Sequence, residues 1–319
     1  MTRRFFSAAL AAACLLTAAG CAGRPPESSR TESGAYYTFT DDAGREVVLK
    51  AAPQKVAVLF SSFADIWKTA GGTVAVTVGE SVERGFADES AVLVDAGAGK
   101  TINTESLIAA EPDLIIGSLD IEAQADAVKL AAQAGIPAAA FKVEAFADYL
   151  RVLKICTAIT GNAEAYETYG TAVQERVEEI LQKAQQSGQA DQREILFIRA
   201  GSKASATKAK TAEDHFACAM LQEMGTHNIA EDAPVLLDGL SLEEILLRDP
   251  DCIFVSTMGD EQAAKDYLEG VFAGEEWQVL TAIREKRYTF LPKELFHFKP
   301  NARWDEAYRY LYDLLYPSA

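Results

Sequence analysis

Residues that bind metals or perform redox and nucleophilic chemistry are scarce in this sequence. Only three histidines and five cysteines occur among 319 residues, and no two cysteines form a Cys-x-x-Cys pair. The spacing of a structural zinc site, the Gly-x-Ser-x-Gly elbow, the His-Glu-x-x-His motif and a phosphate-binding glycine loop are all absent. We therefore predict no catalytic residue, no intrinsic cofactor and no directly bound metal. Cys156, Cys218 and Cys252 lie in apolar settings, and we expect buried free thiols rather than a disulfide.

Long apolar runs are also missing, apart from one at the N-terminus. Arg3 and Arg4 precede the apolar segment 5–19, which is shorter than the roughly 20 residues that span a bilayer as a helix. This pattern is typical of a secretory signal peptide, which we assign to residues 1–20. The stretch LTAAGC, which ends at Cys21, resembles a bacterial lipobox. The resemblance implies that Cys21 is acylated, palmitate included, and anchors the chain to the extracytoplasmic face of a bacterial membrane. The alternative is an ordinary signal peptide with a chance cysteine.

The segment after Cys21 has no large apolar residue up to Gly34. It cannot contribute to a core, so we predict a flexible tether at 21–35 and a fold that begins near Tyr36. Acidic residues outnumber basic ones by 47 to 30, and the net charge of −17 becomes −19 without residues 1–20. Nucleic acid is disfavoured as a partner, because phosphate binding needs clustered cations.

Strands alternate with helices on both sides of a helical segment. Short apolar runs rich in Val, Ile and Ala are followed by amphipathic helices, which predicts α/β structure with mainly parallel sheets. Helix-forming residues dominate 146–188, with an interruption at Gly161. We therefore predict two similar α/β lobes, 36–145 and 189–319, joined by a connecting helix at 146–188.

An internal repeat is the most informative feature of the sequence. Residues 102–118, INTESLIAAEPDLIIGS, match residues 240–256, LSLEEILLRDPDCIFVS, at a constant offset of 138 residues. Both copies read as a polar cap, a short helix, an acid-Pro-Asp turn, a buried strand and a serine. The offset is too wide for a solenoid, so the repeat indicates two similar lobes.

These features together resemble the helical-backbone, or type III, substrate-binding lipoproteins of ABC importers. The resemblance runs from Asp41-Asp-Ala-Gly-Arg-Glu through the repeated unit and Gly225-x-x-Asn-Ile-Ala to Leu295-Phe-His-Phe-Lys-Pro-Asn-Ala-Arg-Trp. It implies a periplasmic-binding-protein-like fold with a long backbone helix, and a monomer that serves an ABC permease and its ATPase subunits. It also implies a ligand from the set that this family imports: a ferric siderophore first, haem second, cobalamin or another corrinoid third. A ligand sensor without transport is an alternative, and an extracellular enzyme is disfavoured.

The resemblance also implies a permease-docking role for one surface glutamate in each lobe. The matching positions are Glu105 and Glu243, which occupy the same place in the repeated helix. Two carboxylates, one per lobe, would fix the orientation of the chain on its permease by charge complementarity. The alternative is that both are first-turn glutamates favoured by the helix dipole.

The candidate cleft residues follow from the rule that ligands of open α/β sheets bind outside the carboxyl ends of the strands. They are Ser61, Ser62, Phe63 and Ser118 in the first lobe, and Arg199, Lys203, Met258, His297 and Phe298 in the second. With Lys208 and Lys210, the two cations of this set form a basic cluster that suits an anionic ligand. A solvated basic loop is the alternative.

His297 stands between two phenylalanines, where an imidazole can ligate haem iron with Met258 opposite. A packed or hydrogen-bonded histidine is the alternative. His215 is a weaker candidate for the cleft, and we expect Trp67 and Trp304 in the core rather than as platforms for a ligand. A long connecting helix also predicts a small clamp movement rather than a wide hinge closure.

Overall fold

The structure, a computed structural model, describes residues 34–95, 101–187 and 193–317. The predicted signal peptide, the acylation of Cys21 and nearly all of the tether at 21–35 lie outside these residues. Within the described ranges, no helix combines the length and the apolar character that crossing a bilayer requires.

The N-terminal half, residues 34–145, contains a hairpin and a parallel sheet. Its elements are, in chain order, β1 (Tyr37–Thr40), β2 (Glu46–Leu49), β3 (Val56–Val58), α1 (Ser61–Thr69), β4 (Val74–Thr77), α2 (Gly79–Glu83), β5 (Val92–Leu93), α3 (Thr104–Ala109), β6 (Leu114–Ser118), α4 (Glu122–Gln133) and β7 (Ala138–Phe141). Strands β1 and β2 pair antiparallel around an Asp/Gly turn. The other strands form one parallel sheet in the order β5-β4-β3-β6-β7. Strands β3, β6 and β7 are buried along their whole length, as expected for a parallel sheet covered on both faces.

The connecting segment, residues 146–187, is helical but not one rod. It contains α5 (Phe146–Thr160), α6 (Ala163–Tyr166), a π-helical turn (Glu167–Thr171) and α7 (Ala172–Ser187). Helix α5 ends at Gly161, whose φ of 73° is a left-handed conformation that glycine adopts without strain. The predicted interruption is therefore confirmed. Helix α5 packs against α1, whereas α7 packs along the last helix of the chain.

The C-terminal half, residues 193–317, contains a second parallel sheet. Its elements are, in chain order, β8 (Glu194–Ala200), β9 (Lys208–Ala209), α8 (Phe216–Glu223), β10 (His227–Asn228), α9 (Leu242–Arg248), β11 (Cys252–Thr257), α10 (Glu261–Phe272), α11 (Thr281–Arg284), β12 (Tyr288–Phe290), α12 (Lys293–Phe296) and α13 (Trp304–Leu315). The parallel strands follow the order β10-β8-β11-β12, and β9 pairs antiparallel with β8. The predicted α/β class with mainly parallel sheets is confirmed.

The repeated unit has the same backbone conformation in both halves. Glu111, which follows the C-cap residue of α3, has a φ of 46°. Asp249, the C-cap residue of α9, has a φ of 43°. Each precedes a buried proline, Pro112 or Pro250, which cannot continue the helix. The acid-Pro step therefore ends both helices in the same way.

The aspartate that follows each proline has the same role in both halves. The Asp113 carboxylate accepts a hydrogen bond from the Lys55 N–H at 2.9 Å, and the Asp251 carboxylate accepts one from the Glu194 N–H at 3.2 Å. Both donors lie where a neighbouring strand, β3 or β8, begins. The repeat thus includes a side chain that joins its strand to the next one in the sheet.

One hydrophobic core runs from the first sheet through the connecting segment to the second sheet. Trp304, fully buried at the start of α13, lies 5.8 Å from the ring of Phe146 and 5.5 Å from that of Phe216. These rings belong to the connecting segment and the C-terminal half. The division into two lobes at 145 and 188 stays a prediction.

The remaining cysteines and tryptophans behave largely as predicted. Cys156 and Cys218 are buried free thiols, and Cys252 is a free thiol that is partly exposed. Trp67 is buried and donates from its indole N–H to a backbone carbonyl 3.0 Å away. None of these side chains lines the cavity between the two halves that is described below.

Candidate ligand-binding site

The carboxyl ends of strands from both sheets lead into a common cleft. A cavity of about 590 Å³ lies there, lined by Asp65, Arg84 and Phe86 from the N-terminal half and by Glu261, Lys293, Glu294, Phe298, Lys299, Pro300 and Arg303 from the C-terminal half. The first group follows β3 and β4, and the second follows β11 and β12. This is the edge at which open α/β sheets bind ligands, and the volume suits a small molecule.

Arg84 joins the two walls of this cleft. Its Nη1 donates to the Ser61 hydroxyl at 3.0 Å, and that hydroxyl donates to the Glu80 carboxylate. The guanidinium carbon lies 3.8 Å from the centre of the Phe298 ring and 4.7 Å from that of Phe86. In the described part of the chain, the other N–H groups of Arg84 have no hydrogen-bond partner. They are therefore available to an anion in the cavity.

Lys299 is the second cation that the cleft leaves unpaired. Its Nζ lies 5.0 Å from the centre of the Phe216 ring, and no carboxylate of the described residues lies within 4 Å of it. Burial lowers the pKa of Lys299, an effect that Glu144 and Asp120 oppose from the N-terminal half. A half-buried ammonium group without an ion pair is stabilised when an anion binds beside it.

The tautomer of His297 is fixed by a hydrogen bond from one of its ring nitrogens. Its Nδ1 lies 2.9 Å from the Thr257 carbonyl oxygen, which can only accept, so Nδ1 carries the proton. Burial lowers the pKa of His297, so the ring is neutral at pH 7 and Nε2 keeps its lone pair. The ring packs edge-on against Phe298, with 4.6 Å between centres. A carbonyl that orients a neutral imidazole in this way is typical of metal-binding histidines.

His215 has the opposite tautomer. Its Nδ1 accepts a hydrogen bond from the Ala217 N–H at 3.2 Å, so Nε2 carries the proton and can donate. The ring packs 4.6 Å from Phe197 and 5.0 Å from Phe216. Burial lowers the pKa of His215 to about 3, and the nearby cations, Lys299 first among them, add to the shift. His215 does not line the cavity, and its place at the cleft stays a prediction.

Asn301 fixes the floor of the cleft. Its side-chain amide donates to the Ser62 carbonyl at 2.9 Å and to the Asp65 carboxylate at 2.8 Å. Asn301 itself is buried with a φ of 50°, a conformation that asparagine tolerates better than most residues. Burial raises the pKa of Asp65, although the bond from Asn301 and the charge of Arg84 oppose the shift. The segment after α12 is thereby tied to α1 of the N-terminal half.

The structure separates the cleft residues predicted for the N-terminal half from the cavity. The Ser61 side chain is buried and does not line the cavity. Its link to the cavity is the hydrogen bond that its hydroxyl accepts from Arg84. Ser62, Phe63 and Ser118 are between 1 and 3% exposed, and none lines the cavity. Phe63 instead packs edge-on against Phe141 in the core, 6.1 Å between ring centres.

The residues predicted for the C-terminal half differ in how close they lie to the cavity. Phe298 lines the cavity and His297 lies beside it. Arg199 is partly buried and contributes to the lowered pKa of His215 and of His297. Lys203 is exposed and Met258 is 37% exposed, and neither lines the cavity.

The sequence interpretation missed Arg84, Phe86, Lys299 and Asp65. The strand-end rule, applied also to β4, selects the segment that contains Arg84 and Phe86. Lys299 lies two residues beyond His297 in a motif already singled out. No sequence pattern singles out Asp65, because its place beside the cavity depends on which face of helix α1 is turned towards the cleft.

A second cavity, of about 400 Å³, lies at the other edge of the C-terminal sheet. Arg193, Cys252 and Arg287 are among its lining residues, and they lie at the amino ends of β8, β11 and β12. Parallel sheets rarely bind ligands at this edge, so we assign the site to the cleft between the halves.

Comparisons with known proteins agree on one fold. A family model described as periplasmic binding protein matches residues 56–295. The haem-binding protein RhuT of Roseiflexus sp. RS-1 has a TM-score of 0.64 at 16% identity, over 82% of this chain and 98% of that one. SirA of Staphylococcus aureus, solved in complex with staphyloferrin B, has a TM-score of 0.63 at 17% identity, over 88% of this chain and 97% of that one.

A periplasmic solute-binding protein of Veillonella parvula has a TM-score of 0.68 at 18% identity, over 88% of this chain and 86% of that one. At identities of 16–18%, these three likenesses concern the fold. Among curated proteins, none matches this chain.

The protonation of His215 gives a direct test of the cleft geometry. Because its pKa is lowered to about 3, the ring should stay neutral between pH 8 and pH 4.5. We expect its imidazole C–H resonances to stay constant over that range in an NMR titration. A titration midpoint near the ordinary histidine value, about 6.5, would contradict the enclosed placement of this ring.

Proposed function

Since this chain belongs to the periplasmic binding protein family, we propose that it captures an anionic iron chelate in the cleft and delivers it to an ABC importer. A ferric siderophore is the first choice. Solved structures of the same fold include a haem-binding protein and one with a bound siderophore, which supports this class of ligand.

The charge of the cleft carries this proposal. In a chain with a net charge of −17, the cavity brings together four cations and three carboxylates. Arg303 is paired with Glu306 at 2.8 Å, and the Lys293 ammonium group donates to a backbone carbonyl. Arg84 and Lys299 are left without a carboxylate partner among the described residues, and both stack on phenyl rings. Cations beside aromatic rings suit a ligand with carboxylates and flat apolar parts.

The ligand can be identified directly. Protein purified from its own host is analysed by native mass spectrometry and absorbance, which distinguish a ferric siderophore, haem and a corrinoid. Protein from an iron-starved culture that carries none of the three, and binds none of them when they are added, would argue against the proposal.

Replacing Arg84 or Lys299 by glutamine removes one anion partner. We expect the Kd for the chelate to rise roughly tenfold or more in each variant, because a hydrogen bond to a charged group contributes about 1.5–3 kcal/mol. The measurement is tryptophan fluorescence quenching during titration with the copurified chelate, or with haemin and a ferric carboxylate siderophore. Lys129→Gln, an exposed position on α4, is the matched control and should bind like the wild type. Unchanged affinity in both cleft variants would contradict the proposed site.

Haem is the second candidate, favoured by the tautomer of His297. Its Nε2 has a free lone pair, and the Thr257 carbonyl fixes the orientation of the ring. When bound, haem iron would find a nitrogen ligand there, and Arg84 and Lys299 would suit the propionates. A siderophore would instead meet His297 as a hydrogen-bond acceptor.

The two ligands make different demands on His297. If haem is the cargo, we expect haemin to shift its Soret band on binding, and His297→Ala to abolish that shift. His227→Ala, at an exposed histidine that pairs with Asp232 at 2.9 Å, is the control. A shift that persists in His297→Ala would remove His297 as the iron ligand, and a wild type without any shift would exclude haem.

Delivery requires a surface for the permease. Glu105 and Glu243 are both exposed, and neither has an ion pair in the described ranges. The adjacent Glu244, by contrast, pairs with Arg248 at 3.4 Å. Free carboxylates on both halves fit docking against two cationic sites of the importer. Acylation of Cys21 and a tether at 21–35 would keep this monomeric chain near the permease at high effective concentration.

Charge reversal separates docking from capture. We expect Glu105→Arg with Glu243→Arg to reduce uptake of radiolabelled iron roughly tenfold or more, since like charges then meet across the contact. Ligand affinity should not change. Glu164→Arg, an exposed first-turn glutamate of α6, is the control for the helix-dipole alternative. Normal uptake in the double variant would contradict docking, and an absence of uptake in the wild type would favour a sensor.

A further inference from the structure

The cavity of about 400 Å³ at the amino ends of β8, β11 and β12 lies on one face of the C-terminal sheet. The register of the strands pairs Cys252 with Ile195, and Phe254 with Thr289. Residues two apart on a strand share a face, so Cys252, Phe254 and Thr289 point to the same side. Strand β12 is the last strand of this sheet, which places the cavity beside a sheet edge.

One wall of this cavity is apolar. Phe254 is buried in the core that joins the two halves, and Cys252 and Leu314 are partly exposed and pack against the same core. Leu314 belongs to the last turn of α13, and Pro317 closes the cavity after the helix ends. The volume lies within the range of pockets that hold small molecules, about 300–1,000 Å³.

Two guanidinium groups also line the cavity. Arg193 and Arg287 directly precede β8 and β12, each two residues before a residue on the same face. The Nη1 of Arg193 donates to the Leu315 carbonyl at 2.8 Å, which holds this side chain against the end of α13. Within the described ranges, no carboxylate forms an ion pair with Arg193.

The second guanidinium shares its carboxylate with another arginine. Arg287 lies 2.7 Å from Glu285, and the same carboxylate lies 3.6 Å from Arg284. Lys286, between them in the chain, is exposed. This corner is therefore basic in a chain with a net charge of −17.

The Cys252 thiol lies within the field of both cavity arginines. Burial raises the pKa of Cys252, and Asp251 adds to the shift, whereas the charges of Arg193 and Arg287 oppose it. The Asp251 carboxylate already accepts a hydrogen bond from the Glu194 N–H. The two guanidinium groups thus act at one place, beside the apolar wall.

We propose that this cavity is a second binding site, which takes a small organic carboxylate with an apolar body. The carboxylate binds to Arg193 and Arg287, since guanidinium groups suit the planar shape of this group. The apolar body packs against Phe254, Leu314 and the sulfur of Cys252. The site lies at the sheet edge opposite the cleft, so it does not depend on which cargo the cleft binds.

Alkylation of Cys252 in the full-length chain measures occupancy of the cavity. The chain reacts with iodoacetamide at pH 8.5, and mass spectrometry follows the peptide that contains Cys252. Sodium hexanoate, butanoate and hexan-1-ol are the probes. We expect hexanoate to slow the reaction at least threefold, and butanoate to need a roughly tenfold higher concentration, because each buried methylene changes affinity roughly threefold. Hexan-1-ol, which lacks the charge, should need at least fivefold more than hexanoate.

Two variants test the cations separately. Arg193→Gln and Arg287→Gln should each raise the half-protecting concentration of hexanoate at least fivefold. Arg287 is exposed, and its side-chain contact in the described part of the chain is with Glu285, so this variant keeps the fold even if Arg193→Gln does not. Lys286→Gln removes one neighbouring charge outside the cavity and should protect like the wild type.

Three results would overturn the proposal. They are no protection by hexanoate, equal protection by hexan-1-ol, and unchanged protection in both arginine variants. Arg84→Gln distinguishes this site from the cleft, because it removes an anion partner there and should leave the protection of Cys252 as it is. Loss of protection in Arg84→Gln would place the hexanoate in the cleft and would also count against a second site.

Discussion

Trp304 lies fully buried where the connecting segment, the last helix and the C-terminal half meet, 5.8 Å from the ring of Phe146 and 5.5 Å from that of Phe216. Aromatic pairs of this kind contribute about 0.5–1.5 kcal/mol beyond the burial of their surface. Three residues earlier, Asn301 binds α1 of the N-terminal half. Packing and hydrogen bonds within four residues thus hold the walls of the cleft together.

This packing explains how a strongly acidic chain keeps two cations of the cleft unpaired. Arg84 and Lys299 are fixed against phenyl rings, so their charges stay beside the cavity instead of finding the carboxylates that dominate the surface. Burial strengthens their field on an anion and keeps His215 and His297 neutral. The two histidines have opposite tautomers, since Nε2 carries the proton in His215 and Nδ1 carries it in His297.

The repeated unit places matched residues at matched positions in both halves. Asp113 and Asp251 join neighbouring strands, and the acid-Pro step ends each helix before it. The solvent-facing positions of the same helices carry Glu105 and Glu243. Because the strand fixes the helix and the helix fixes the glutamate, the core also sets the spacing between Glu105 and Glu243.

The sequence by itself determined the α/β class, the repeat and the break at Gly161, since these depend on local pattern and backbone preference. It also selected the carboxyl edge of the sheets, where the cleft cavity lies, and with it Phe298, which lines that cavity. It could not decide which strand-end side chains face the cavity: Ser62, Phe63 and Ser118 are buried. Only the tertiary structure decided that, because the phase of each helix and the return of the segment after α12 to α1 set the cleft. Asn301 and Ser62, which form that return contact, are 239 residues apart in the chain.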